Sequence, residues 1–328
     1  MNFDNLFQQF SKLKIGVIGD VMLDTYWWGK VDRISPEAPV PVIAVTNKEQ
    51  RIGGAANVAL NLQALGTNVF LVSVVGKDAD GDLLSELVQK NNINACYLVH
   101  SEHRITTNKI RIISRNQHMM RLDAEITGDI NDEDENRLLS SVKKFIDTVK
   151  PDVIILEDYN KGVLTENSIT QIIDLCKQNN TIITVDPKRK NFFSYIGADI
   201  FKPNLKEVKD ALNIISDKVD TESLKDIHSQ IAAKLQHKIS LITLSEKGVF
   251  YQSGNDGNVI SSHVRNVADV SGAGDTVIAV ASIIYTATKD VHLTAAVANI
   301  AGGLVCEEVG TVAIDKIKLL DECKRLLS

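Results

Sequence analysis

Apolar residues in this chain come as short continuous runs that close on glycine or an acid: Lys14-Ile-Gly-Val-Ile-Gly-Asp20, Val153–Leu156 before Glu157-Asp158, and 181–185 before Asp186. Runs of this kind read as strands buried on both faces. Between them the pattern switches to helical spacing at about 132–148, 165–179 and 221–235, with further helices from Arg51 to about Leu65, up to Lys90, across 295–304 and near 315–326. Strands are also expected at Thr67–Val75 and Leu241–Ser245, the latter turning through Glu246-Lys-Gly248 into another strand. Such alternation predicts an α/β fold, with a mostly parallel central sheet and helices on both faces. Asp20, Asp24, Glu157, Asp158 and Asp186 then gather at the carboxyl edge of the sheet, where ligands of open α/β folds bind.

Two stretches break this rhythm. Residues 25–46 hold both tryptophans, Trp27 and Trp28, and the proline-dense Ile34-Ser-Pro-Glu-Ala-Pro-Val-Pro41, which forbids helix and favours extended edge structure. Residues 93–123 include Arg104–Ile113, where strand periodicity sets Thr107, Lys109 and Arg111 on one face. These excursions are expected to pair as a small β lid on one domain spanning residues 1–328.

The stretch around which the chain is organised is Asp269-Val-Ser-Gly-Ala-Gly-Asp-Thr276. His263–Val270 reads as a strand, 271–274 as a tight turn, and Asp275–Tyr285 as a helix apolar on nearly every face, hence buried. The first N–H groups of such a helix lack intrahelical partners and carry partial positive charge, which suits an anion. Asp275 is open to two readings, a helix-capping acid or a general base beside a phosphoryl group. Gly53-Gly54 and Asn57 similarly allow either close approach of a ligand or tight helix packing. Asn204 and Glu207 have capping-box spacing, and an acid there could also hold water around a Mg²⁺ ion.

Length and composition change the picture little. The chain has 328 residues, 44% of them hydrophobic and 24% charged, with a net charge of −6. That balance argues against nucleic acid as a partner. Cys96, Cys176, Cys306 and Cys323 show no metal or disulfide spacing. Neither a signal peptide nor a membrane span is visible, so a cytoplasmic location is expected.

Gly53-Gly-Ala-Ala-Asn57, Asn204-Leu-Lys-Glu207, Thr243-Leu-Ser-Glu-Lys-Gly248 and Asp269–Asp275, in that order, resemble the ribokinase-like (PfkB) family of carbohydrate kinases over essentially the whole chain. Gly19–Asp24, Arg33–Pro41 and Glu157-Asp-Tyr-Asn-Lys-Gly162 are most similar to the D-glycero-D-manno-heptose-7-phosphate kinases of ADP-heptose synthesis. Glu157 and Asn160 depart from the Ser-Asp-Tyr-Ala-Lys-Gly form of the third segment. Many relatives carry a fused nucleotidyltransferase with an HxGH-type motif; the chain lacks that motif and is expected to be the stand-alone kinase.

The resemblance implies a ribokinase-like three-layer sandwich and transfer of the ATP γ-phosphoryl group to O1 of heptose 7-phosphate. It implies Asp275 as base, with N–H groups of Gly272, Ala273 and Gly274 on the transferring phosphoryl. Asp20, Asp24, Gly53, Gly54 and Asn57 would hold sugar hydroxyls. Asn204 and Glu207 would organise Mg²⁺ and phosphate, while Thr243, Ser245, Gly248 and Asn299 would line the nucleotide cleft. Asp269 and Ser271 fall where family members bind a monovalent cation such as K⁺. For the substrate phosphate the candidates are Lys109, Arg111, Lys161, Lys188 and Arg189 beside Asp158, with Lys161, Lys188 and Arg111 favoured. A kinase for another sugar and an inactive sugar-phosphate sensor are the alternatives. A homodimer through the lid is expected because pairing would cover open strand edges.

Overall fold

The computed structural model describes residues 2–115, 117–216, 219–263 and 265–327. In chain order its strands are β1 (Lys14–Gly19), β2 (Val21–Ile34), β3 (Pro41–Gly54), β4 (Asn68–Gly76), β5 (Asn94–Ser101), β6 (Asn108–Ser114) and β7 (Gln117–Ala124). Then follow β8 (Val153–Glu157), β9 (Ile182–Asp186), β10 (Ile200–Phe201), β11 (Ile239–Thr243), β12 (Val249–Ser253) and β13 (Asp256–Ile260). Nine of them form one sheet in the order β13-β12-β11-β10-β9-β8-β1-β4-β5. From β11 to β5 all neighbours are parallel, and β12 and β13 add an antiparallel margin.

The central strands are apolar throughout because both faces are covered. On one face Ala55–Ala64, Ala273–Thr288, Val291–Val305 and Lys316–Leu327 pack against Val17, Leu71 and Ile155. On the other, Asp132–Val149, Glu166–Gln178 and Thr221–Leu235 cover Ile18, Ile154 and Val185. Helix starts follow local chemistry: Asn131, Thr165, Asp220 and Asp290 each accept an N–H bond from the first turn.

The two excursions meet in a separate four-stranded sheet, ordered β3-β2-β6-β7. β2 and β3 form a long antiparallel ribbon with Asp24 opposite Arg51, and β6 joins β2 in parallel with Lys109 opposite Asp24. Three expectations need correction. Residues 94–101 belong to the edge of the main sheet, not the lid, because their alternating apolar side chains pack under helix 132–149. The segment 51–54 is the end of β3 rather than the start of a helix; Ala55 begins the helix after Gly54 turns the chain at φ 61°. Finally, 265–270 is irregular rather than a strand, with Ala268 and Asp269 donating N–H bonds to the Cys306 carbonyl; Val264 lies outside the described residues.

Candidate active site

The carboxyl ends of β1, β8, β9, β10 and β11 converge on the N-terminus of helix Ala273–Thr288. Gly272 caps that helix in the left-handed region, at φ 78°. A side chain there would press on Asn57 Nδ2 at 3.0 Å and the Thr311 methyl at 3.1 Å. The turn therefore needs glycine for conformation and for space.

Asp275 lies in the first turn, 4% exposed. Asn57 Nδ2 donates to its Oδ2 at 2.6 Å, and the Tyr159 hydroxyl donates to its Oδ1 at 2.6 Å. Burial raises its pKa to about 6, while the bonds from Asn57 and Tyr159 oppose the rise. Burial and the Asp275 charge push the Tyr159 phenol well above its ordinary range, so it stays a donor. One turn on, Asn61 Oδ1 accepts from Thr276 Oγ and the Ile314 N–H, both at 3.0 Å, while its Nδ2 donates to the Asn57 carbonyl. Asp275 is thus held by a polar lattice that is buried except at the half-buried Tyr159, and the N–H groups of Gly272 and Gly274 make no hydrogen bond among the described residues. That of Ala273 is instead bonded to the Val270 carbonyl at 3.3 Å.

Beside Asp275, oxygens of Glu157 and Asp186 complete a cluster within 4.8 Å. Neither Glu157 oxygen nor Asp186 Oδ1 has a hydrogen-bond partner, although all are buried. Burial raises the Glu157 pKa, and the Asp186 and Asp275 charges add to it. Lys202, 2% exposed, donates to Asp186 Oδ2 at 2.7 Å. Unpartnered carboxylate oxygens at one sheet edge fit a hard, oxygen-loving cation such as Mg²⁺.

A broad cleft is lined by Asn204, Thr243, Ser245, Gly248 and Asn299, with Gly272–Asp275 at its floor. Asn204 caps its helix and Glu207 Oε2 accepts the Asn204 N–H at 2.8 Å, a complete capping box. Glu207 Oε1 accepts from Lys188 Nζ at 2.8 Å. Asp269 accepts from the N–H groups of Ser271 and Gly310, stapling the turn to the loop before the last helix.

Several residues expected on the sugar side serve otherwise. Asp20 is wholly buried, and its carboxylate accepts the N–H groups of Tyr159, Lys161 and Val163 at 2.8–3.0 Å, so it holds a loop rather than a hydroxyl. Asp158 accepts from the Tyr195 hydroxyl and the Asn160 N–H, both at 2.7 Å, and faces inward. Lys188 lines the broad cleft, where burial disfavours its charge but Asp186 and Glu207 outweigh it and raise its pKa. Arg189 makes no hydrogen bond or ion pair among the described residues. Arg111 pairs with Asp24 Oδ1 at 2.5 Å and lies over Tyr26. Gly53 is needed because a side chain would strike that Asp24 carboxylate. Lys161 and Lys109 converge instead on Glu125 at the foot of the lid.

Sequence reasoning gave no role to Tyr159, Lys202, Asn61, Arg104 or Glu125. Tyr159 stands inside a segment that carried the resemblance, and Lys202 directly follows a strand end two residues before another such segment, which was the available signal.

Against known proteins, residues 12–317 match the model of the pfkB family carbohydrate kinases. The chain belongs to this family. It is 41% identical over 311 residues to the Bifunctional protein HldE of Aliarcobacter butzleri, covering 94% of this chain and 64% of that protein. To the protein of the same name from Helicobacter hepaticus it is 38% identical, covering 94% and 63%. The chain thus spans under two thirds of the length of these relatives. Among solved structures, phosphofructokinase-2 from Escherichia coli in complex with potassium superposes with a TM-score of 0.78 at 16% identity, covering 95% of this chain and 100% of that one. Ribokinase from Arabidopsis thaliana complexed with ribose and ATP gives 0.72 at 18%, covering 94% and 98%. The fold is therefore ribokinase-like, and membership of this kinase family implies ATP and a divalent metal. No helix among the described residues is long and apolar enough to cross a membrane.

Proposed function

We propose that the protein transfers the ATP γ-phosphoryl group to O1 of D-glycero-D-manno-heptose 7-phosphate, giving the 1,7-bisphosphate. The observation that carries phosphoryl transfer is Asp275, a buried carboxylate with a raised pKa at a glycine-capped helix start that opens into the nucleotide cleft. Asp275 takes the proton of the accepting hydroxyl. Gly272 and Gly274 N–H groups meet charge on the transferring phosphoryl, already aimed and needing no reorganisation. Asn57 and Tyr159 hold the base in one orientation. Lys202 and Lys188 face the nucleotide phosphates, and Asp186 together with Glu207 would hold water around a Mg²⁺ ion, which would supply charge neutralisation. The heptose reading is supported by the Gly19–Asp24, Arg33–Pro41 and Glu157–Gly162 segments and by the relatives' identity along nearly the whole chain.

Lys161 and Lys109 are assigned to the substrate phosphate, with Asp24, Gly53, Gly54 and Asn57 on the hydroxyls. A second reading, a family kinase for another phosphorylated sugar, is favoured by the chemistry of this lysine pair, which recognises a phosphate rather than a heptose. Coupled ADP release across a panel of phosphorylated sugars decides between them; faster turnover of a ketose phosphate than of the heptose sinks the first. Sugar-phosphate binding without ADP release would instead identify a sensor. A monovalent cation beside Asp269 and Ser271 belongs to the same proposal, and activity unchanged when K⁺ is replaced by tetramethylammonium removes it. We further propose a homodimer through the lid, whose outer strand β7 is exposed along its whole length with Met119, Met120 and Leu122 among its side chains. A monomer in light scattering overturns that assembly.

A further inference from the structure

At the foot of the lid, two lysines face one acid that phosphoryl transfer does not use. Glu125 follows β7 in the irregular stretch leading back to the core. Lys161 Nζ donates to Glu125 Oε1 at 2.7 Å, and Lys109 Nζ lies 3.7 Å from Glu125 Oε2. That second oxygen is buried and makes no hydrogen bond, so the pairing with Lys109 is incomplete. The other acid nearby, Asp123, stands opposite Lys109 across the ladder with Oδ2 3.7 Å from its Nζ, and is held more closely by Nε and Nη2 of Arg121, at 2.9 and 3.0 Å.

The lysines differ in how firmly they are set. Lys161 is fixed through its backbone, its N–H bound by Asp20 and its carbonyl by Arg104 Nη2 at 2.6 Å. Lys109 is fixed by strand pairing opposite Asp24. Side-chain exposures are 13% for Lys161, 16% for Lys109 and 18% for Glu125, so the three are largely desolvated yet reachable. Removing one partner from such a pair leaves an uncompensated charge, whereas exchanging it for a better acceptor does not.

We propose that Glu125 is an internal stand-in for the substrate's phosphate, holding the Lys161–Lys109 pair until a phosphate displaces it. This deepens the assignment of those lysines made above and rests on it. A phosphate dianion presents enough acceptor oxygens to satisfy both ammonium groups, which Glu125 does only for Lys161. An unphosphorylated sugar has no group to exchange for the carboxylate, so Glu125 stays in place. The acid therefore selects for phosphorylated acceptors by competing with weaker ligands.

The test uses inorganic phosphate as probe, titrated calorimetrically into the chain with a non-hydrolysable ATP analogue present throughout. Glu125→Gln keeps the shape and removes the charge, and is expected to tighten phosphate binding about tenfold. Adding Lys161→Ala to that variant should abolish the gain. In turnover assays, Glu125→Gln should lower KM for the phosphorylated sugar and leave KM for ATP unmoved. Phosphate binding no tighter in Glu125→Gln overturns the proposal, as does a gain that survives loss of Lys161. A wild-type protein that ignores the heptose phosphate removes the substrate reading alone, because the phosphate titration does not use that sugar.

Discussion

The floor of the site and the lid above it solve opposite problems. Around Asp275 the polar groups are buried, and each short bond runs between elements fixed by the core: Asn57 from helix Ala55–Ala64, Tyr159 from the loop after β8, Asp275 from the central apolar helix. In the lid, β7 is exposed throughout, and the backbone ladders are supplemented by ion pairs such as Arg111–Asp24, Lys109–Asp123 and Lys161–Glu125. The floor has its groups in place before substrate arrives, as charge stabilisation requires. The lid holds cations on exchangeable acids, which suits ligands that must enter and leave.

Changes in the floor should therefore cost turnover, and changes in the lid should cost recognition. Largest is Asp275→Asn, expected to lower kcat by about two or more orders of magnitude while nucleotide affinity in calorimetry stays nearly intact. Next is pH. Because Asp275 must be a carboxylate to accept a proton and its pKa is raised to about 6, kcat/KM should fall as pH drops below about 6 and level off above it. Tyr159→Phe removes a bond to the charged form, so the acid limb should move to higher pH and kcat should fall by roughly tenfold. In the lid, Arg111→Ala should raise KM for the sugar substrate about tenfold with kcat and the ATP KM little changed; a loss of kcat matching that of Asp275→Asn would erase the distinction between the regions. Smallest is Met120→Glu, expected to convert a dimer to monomer in light scattering while shifting stability by no more than about 0.5 kcal/mol.

How much of this was legible in the sequence follows the same division. The parallel sheet and its two helical layers announce themselves because strands buried on both faces must be apolar throughout. The Asn204–Glu207 capping box was readable from local spacing, whereas spacing left Asp275 open between a helix cap and a base, and only the resemblance favoured the base. The roles of Asp20 and Asp158 were not legible, since an acid after a strand has the same signature whether it meets a ligand or a loop; only the three N–H groups aimed at Asp20 decide it. The pairing of Lys188 with Glu207 and Asp186 was not legible either, because it depends on how β9 and β10 sit side by side. β5 was assigned to the lid because an edge strand alternates in polarity much as a lid strand does.

The loop from Asp158 to Val163 would ordinarily be among the first parts of a protein to open. Here three of its amide protons end on one carboxylate with no exposed surface. Breaking those bonds would leave the buried Asp20 carboxylate without its three donors, so the loop is held closed by the cost of uncovering that charge. In native-state hydrogen exchange the amides of Tyr159, Lys161 and Val163 should accordingly persist with those of the central strands. The loop that bonds Asp275 through Tyr159 and carries Lys161 would then behave as part of the folding core, and destabilising β1 anywhere along its length should loosen Tyr159 before the broad cleft.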